Sequence, residues 1–380
     1  MRILEVRERT VPIRSTIRNA YVDFTQMTCS VVAVIAEVPG GRRLTGYGFN
    51  SNGRYAQGGL LRERFIPRLL AATEDELADP IATHAALLRN EKPGGHGERS
   101  VAVGVLDMAL WDLAAKAADQ SLAAHLAARF GTAGGPATQV RAYAAGGYYD
   151  RDKGLDGLRD ELRGYLDLGY TQVKLKVGGA ELAHDLERIE TAIAVAGSPD
   201  RVAVDANARF DLATAEAFGR AIEPLGLLWY EEPVDPLDYA GFAALAAAYA
   251  GPLATGENLF SRQDARNLLR HGGLRPDRDI LQMDPVLSYG LTEYLGMIAD
   301  AEAAGWPRRA LVPHGGHLLN LHAAAGLGLD AIEAYPMVFR PFGGFGDGTP
   351  VRDGVVRVPD APGLGLETDS GIRAVLAELD

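Results

Sequence analysis

A chain of 380 residues is long enough for one large domain or two moderate ones with a substantial buried core, which excludes a disulfide-stapled miniprotein. With 47% hydrophobic and 23% charged residues the composition is that of an ordered globular protein. A formal net charge of −12 argues against a nucleic-acid partner, and the single cysteine, Cys29, rules out an internal disulfide and suits a reducing cytoplasm.

The chain opens Met1-Arg2-Ile3-Leu4-Glu5, with an acid where a signal peptide carries its apolar stretch, and no uninterrupted run reaches the roughly 18 apolar residues of a membrane helix. A cytoplasmic protein without a membrane partner is expected. Met1–Val11 and the β-branched run Ser30–Ala36 predict strands. Helical spacing follows over 60–88 and 101–116, where Val105, Met108, Ala109 and Leu113 share a face. An α+β unit over residues 1–132 results. Beyond the small-residue segment Gly131–Pro136, short buried strands alternate with helical stretches: Val140–Tyr143, Gln172–Lys176, Val202–Asp205, Leu228–Glu231, Leu253–Thr255, Ile280–Asp284, Ala310–Val312 and Ala331–Glu333. Eight strands so spaced predict a modified (β/α)8 TIM-type barrel over 133–340, capped by the α+β domain, with residues 341–380 returning to the cap. The Gly-rich pieces at 94–97 and 343–346 match no phosphate-loop fingerprint and predict tight turns.

Three acids close successive predicted strands. Asp205, Glu231 and Glu257 are each 26 residues apart, one β/α unit, so a parallel barrel brings all three to the same mouth. Such acids can also cap the helices that follow them, but three carboxylates converging at equal spacing repel unless a hard cation joins them, and an all-oxygen set favours Mg²⁺. On the second strand, Lys174 and Lys176 alternate onto one side. Next to a second cation and a metal, a lysine there is expected to have its pKa moved toward neutrality, as a base requires. Across the mouth, His314 follows the seventh strand and Asp284 ends the sixth, a pairing that fixes an imidazole's tautomer and stabilises its protonated form. Glu333, ending the eighth strand, would complete the ring if protonated, donating a hydrogen bond to developing charge.

Together, Lys174-x-Lys176, Asp205, Glu231, Glu257, Asp284 and His314 resemble the mandelate racemase subgroup of the enolase superfamily, whose Lys or His base working with Mg²⁺ is a documented pattern. The resemblance covers the whole chain. Segments 17–21, 47–55, 90–100, 143–149 and 256–260 resemble the D-tartrate dehydratases within it. That resemblance implies substrate contacts from Asn19, Asn52, Lys92, Tyr148, Lys174 and Asn207, with Lys92 supplying the cation for the carboxylate remote from the metal. Ala208 departs from the pattern, which has glycine after Asp-Ala-Asn. The implied reaction is Mg²⁺-dependent dehydration of a small hydroxy acid, D-tartrate to oxaloacetate: Lys176 takes the α-proton, and His314, supported by Asp284, protonates the departing hydroxyl. Racemisation or epimerisation by the same pair, or dehydration of another acid sugar, is the alternative. A homo-oligomer is the expected assembly.

Overall fold

Two glycines hide one strand of the cap from a reading of the sequence. β1 (Arg2–Pro12), β2 (Thr28–Glu37) and β3 (Arg43–Phe49) form an antiparallel sheet in that order. A side chain on Gly46 or Gly48 of β3 would run into the carbonyls of Ala109 and Val105 on the long helix Glu98–Ala117. Glycine is therefore needed for the close approach, although it weakens the β signature of the segment. The computed structural model describes all residues except Tyr21, Asn52, Gly53, Thr132, Ala133, Arg151, Asp152, Met337 and Asp380. The expected substrate contact Asn52 thus lies outside the described residues.

The helical run expected over 60–88 is broken in two. Gly58–Leu60, Leu61–Phe65 and Ile66–Leu70 follow one another, the middle piece with a π pattern, and Pro80–Leu87 begins afresh with the Asp79 carboxylate accepting from the Ile81 N–H. The long helix buries 15 of its 20 residues because sheet lies on one side of it and barrel on the other. Its Asp107 carboxylate accepts from the backbone N–H and hydroxyl of Thr292, at 3.1 and 2.6 Å, and so caps the barrel helix Leu291–Ala303 from outside.

The barrel strands are β4 (Gln139–Gly146), β5 (Val173–Lys176), β6 (Val202–Asp205), β7 (Trp229–Glu231), β8 (Leu253–Thr255), β9 (Ile280–Leu281) and β10 (Ala331–Ala334). Parallel ladders run from β4 to β9, and β10 pairs with β4. Helices follow each of β4 to β9. Side chains of Asp211, Asp238 and Ser261 cap three of them, and the buried Leu158, Leu162 and Tyr165 give another its inward face. Tyr143, Ala203, Trp229, Ala254, Val312 and Ala331 pack together inside the ring.

Two expected strands are shorter than the sequence suggested. At the seventh position only a Leu281–Leu311 bridge forms, because Arg308–Ala310 takes a 3-10 turn and Pro313 has no N–H to offer a ladder. Among the described residues no ladder joins that segment to β10, so the hydrogen-bonded ring is not closed. The sixth strand stops at Leu281 rather than Asp284, whose carbonyl instead accepts from the Ser288 N–H and hydroxyl.

After the barrel, β11 (Val351–Arg352) and β12 (Val355–Arg357) make a hairpin whose second strand pairs antiparallel with β4. The chain then crosses to the cap. Gly363 O accepts from Leu122 N, Leu364 N donates to Asp112, and Arg7 Nη1 donates to Leu379 O. No helix among the described residues is long and apolar enough to cross a membrane.

Candidate active site

The parallel register places the acids and lysines. Lys176 on β5 pairs with Asp205 on β6, and Asp205 with Glu231 on β7, so three charged side chains stand at one level at the C-terminal strand ends. Glu257 follows two residues after β8, beyond Gly256, whose φ of +134° and contact with the backbone of Gln282 and Met283 leave no room for a Cβ. Oxygen atoms of Asp205, Glu231 and Glu257 lie within 4.8 Å of one another. Burial and the neighbouring Asp205 charge push the Glu231 carboxyl up to about 8. A buried all-oxygen cluster under this repulsion fits a hard divalent cation, with Asp205, Glu231 and Glu257 as its ligands.

Lys174 and Lys176 both point inward, and both serve as counter-ions. Lys176 pairs with Asp205. Lys174, wholly buried, pairs with Glu231, lies 2.7 Å from Glu333 Oε1 and 3.3 Å from Asp205 Oδ2. Burial works against each ammonium, but the carboxylates outweigh it and both lysines are raised above their usual value. The shift toward neutrality expected of a lysine beside a second cation and a metal is opposed here by these carboxylates. Glu333 is not in the protonated form that donating would require. Burial raises it, but Lys174, His314 and Lys176 outweigh burial and hold it below the usual carboxylate range, so it is an acceptor for Tyr335 Oη at 2.9 Å and not a donor.

The imidazole of His314 is held from both ends. Its Nδ1 lies 2.9 Å from Asp284 Oδ2, and its Nε2 lies 3.0 Å from Tyr335 Oη and 3.4 Å from Glu257 Oε2. Asp284 accepts further from Ser51 Oγ at 2.6 Å and Val286 N at 2.7 Å, and stays ionised although buried. Burial disfavours the imidazolium, yet Glu257, Glu333 and Asp284 push His314 up to about 10. Gly315, at φ +117°, is needed because a Cβ there would crowd Asp284, Ser51 and Asn320.

Of these groups Lys176, Glu257, His314 and Tyr335 open onto one cavity of about 600 Å³, its mouth included. Barrel residues Tyr148, Lys176, Asn207, Glu257 and His314 line it below. Cap residues Asn19, Val22, Phe24 and Arg54 line it above. Asn19 Nδ2 donates to Asn207 Oδ1 at 3.1 Å, and Asn207 N donates to Asp205 Oδ1 at 2.8 Å, linking the cap to an acid of the triad. Phe24 packs edge-on against Phe339 and Tyr148, at ring separations of 5.2 and 6.0 Å.

Of the residues expected to touch substrate, Asn19, Tyr148 and Asn207 line the cavity, whereas Lys174 lies beneath it and Lys92 is exposed on a loop where its carbonyl accepts from Arg99 Nη1. Sequence reasoning missed Tyr335, Arg54, Ser51 and the aromatic lid of Phe24 and Phe339. Tyr335 could have been found, since it lies two residues past Glu333 on the same side of the chain. Ala208 has φ +60°, a backbone that favours glycine, which accounts for the glycine of the pattern it departs from.

Comparison with known proteins accords with this geometry. Residues 157–372 match the family described as enolase C-terminal domain-like. The chain is 31% identical to an arabinonate dehydratase of Saccharolobus solfataricus over 82% of its own length and 81% of that protein. It is 30% identical to an L-talarate/galactarate dehydratase of Salmonella typhimurium over 90% and 82% of the two chains. Among solved structures, an L-talarate dehydratase of Polaromonas sp. JS666, complexed with Mg and L-glucarate, superposes with a TM-score of 0.80 at 29% identity, covering 97% of this chain and 95% of that one. With two carboxylate-bearing strands, a third acid, and an inward lysine and histidine on one barrel, and with these relatives, the chain belongs to the enolase superfamily.

Proposed function

We propose that this protein is a Mg²⁺-dependent hydro-lyase that dehydrates a small hydroxy acid, with D-tartrate as substrate and oxaloacetate as product. The observation that carries the reading is the meeting of Lys176 and His314, from the second and seventh barrel positions, in one cavity beside the three-carboxylate cluster. Supporting it, the relatives named above are acid-sugar dehydratases.

Mg²⁺ held by Asp205, Glu231 and Glu257 would supply positive charge to stabilise the enediolate. Lys176 has burial and the neighbouring Lys174 charge working against its ammonium, and Asp205, Tyr148 and Glu257 working for it. As a free amine it takes the proton from the carbon next to the substrate carboxylate. His314, kept protonated by Asp284, gives its Nε2 proton to the β-hydroxyl, which leaves as water, and the enol tautomerises to the keto acid. Tyr335 and Glu333 hold the Nε2 edge of the ring toward the cavity. Asn19, Asn207 and Tyr148 would orient the substrate hydroxyls.

A panel of tartrate stereoisomers and acid sugars, assayed for keto-acid formation with and without Mg²⁺, tests the reading. D-tartrate turning over best, and only with the cation, supports it; faster turnover of a five- or six-carbon acid moves the substrate, and no keto acid from any member overturns it. The pairing of Lys176 with His314 also favours a second reading, proton exchange without loss of water, because two acid/base groups serve one cavity. Deuterium from solvent appearing in recovered substrate, with no keto acid, would establish that one.

A further inference from the structure

Arg54 is a cation at the cavity wall without an anion of its own. The other cations there are neutralised within the protein: Lys176 by Asp205, and His314 by Asp284, Glu257 and Glu333. Arg54 forms no ion pair among the described residues. It is nevertheless held in place. Its Nη2 donates to Asn258 Oδ1 at 2.7 Å, its guanidinium stacks on the Phe260 ring at 4.5 Å, and its carbonyl accepts from Asn50 Nδ2 at 3.2 Å. A fixed, half-buried guanidinium with unused N–H groups is pre-organised for a planar anion, which it can grip at two points.

Its position puts that anion close to the carboxylate triad. The Asn258 amide that receives Arg54 also donates to Glu257 Oε1 at 3.3 Å and to Glu232 Oε2 at 2.8 Å. The guanidinium therefore stands one amide's breadth from a residue of the carboxylate triad. A molecule bound by one carboxylate at the triad can reach Arg54 with a second carboxylate across only a few carbons. Val22, Phe24, Leu287 and Phe339 line the same cavity and put apolar surface beside its polar groups.

We infer that Arg54 binds the second carboxylate of a short dicarboxylic hydroxy acid and so selects four-carbon diacids over hydroxy monoacids. This rests on the reading of the site as one for hydroxy acids, and it moves the remote cation from exposed Lys92 to Arg54. Malate keeps the carboxylate, α-hydroxyl and second carboxylate of tartrate but has no β-hydroxyl to lose, and lactate lacks the second carboxylate as well. Calorimetric binding of both enantiomers of each to the Mg²⁺-loaded protein separates recognition from turnover. The wild type should bind one malate enantiomer at least tenfold more tightly than either lactate. Arg54→Gln should lower malate affinity tenfold or more and leave lactate within twofold, which also reports an intact fold, and Arg54→Lys should recover part of the loss.

A wild type that does not prefer malate, a preference that survives Arg54→Gln, or one that collapses in Lys92→Ala would each overturn the inference. Malate preference that depends on Arg54, in a protein that forms no keto acid from any hydroxy acid, would leave the inference standing and sink the dehydratase reading. Keto acid from hydroxy monoacids, with malate bound no better than lactate, would do the reverse.

Discussion

The floor and the roof of the cavity are built by different rules. On the floor, charged groups sit on or just past parallel strands, where hydrogen-bonded register fixes Lys176 beside Asp205 and Asp205 beside Glu231. On the roof, Asn19, Val22, Phe24 and Arg54 come from short cap segments outside the sheet, held to the barrel by side-chain contacts such as Asn19 to Asn207 and Arg54 to Asn258 and by a few backbone bonds such as Tyr149 N to Arg18 O. A rigid floor suits chemistry, where a misplaced proton carrier is costly, and a roof of loops can vary without disturbing it. Perturbing the floor should therefore change turnover, and perturbing the roof should change which acid binds.

Lys176→Ala is the sharpest way to break the floor. An acid/base group is worth about 10²–10⁴-fold, so kcat should fall by that range or more while substrate binding, measured by calorimetry with Mg²⁺ present, changes little. Loss of binding in step with kcat would show that the lysine holds substrate rather than moving its proton.

The seam between floor and roof gives the next effect, in stability and with a defined sign. His322, buried on the barrel helix Leu318–Leu327, accepts from Ala123 N of the cap at 3.2 Å through Nδ1, and its Nε2 lies 3.2 Å from Leu364 O of the returning C-terminal segment. Burial lowers its pKa to about 4, against an ordinary 6.5. Between those values the unfolded chain binds a proton that the folded protein refuses. Stability is thus full above about pH 6.5 and is lost as pH falls toward 4, by roughly 3 kcal/mol from this residue at 1.36 kcal/mol per unit. His322→Gln, which can keep both hydrogen bonds, should flatten the fall in denaturant stability between pH 7 and pH 5. An unchanged slope would remove His322 from the account.

Smaller effects sharpen the same contrast. Tyr335→Phe removes the hydroxyl shared by His314 and Glu333, a hydrogen bond to charged groups worth roughly 1.5–3 kcal/mol. It should lower kcat about ten- to a hundredfold with KM nearly constant; an effect confined to KM would place Tyr335 with the roof. Ala208→Gly relieves a left-handed backbone that costs an L-residue roughly 1 kcal/mol. Urea unfolding should show a gain of about 0.5–1 kcal/mol, and a loss would mean that the methyl packs usefully.

The floor was legible in the sequence because strands impose periodicity. Equal spacing marked Asp205, Glu231 and Glu257, and alternation put Lys174 and Lys176 on one side. What spacing could not convey is who neutralises whom: Glu333 can donate only if protonated, and the approach of Lys174, His314 and Lys176 keeps it ionised. The roof was less legible. Arg54 and Phe24 act through tertiary contacts that no local pattern announces, and the resemblance pointed to Lys92 as the remote cation where the fold exposes Lys92 and lines the cavity with Arg54. Of the fold, the barrel was legible from alternation, while β3 was concealed by the glycines that let a helix approach it, and the seventh strand was overstated because Pro313 denies it a ladder.

The most direct measurement is keto-acid formation from D-tartrate by protein stripped of divalent cations and then titrated with Mg²⁺. The account predicts no product in the stripped protein and saturable recovery as Mg²⁺ is restored, with Glu257→Gln needing more of it. Full turnover in the stripped protein would contradict it.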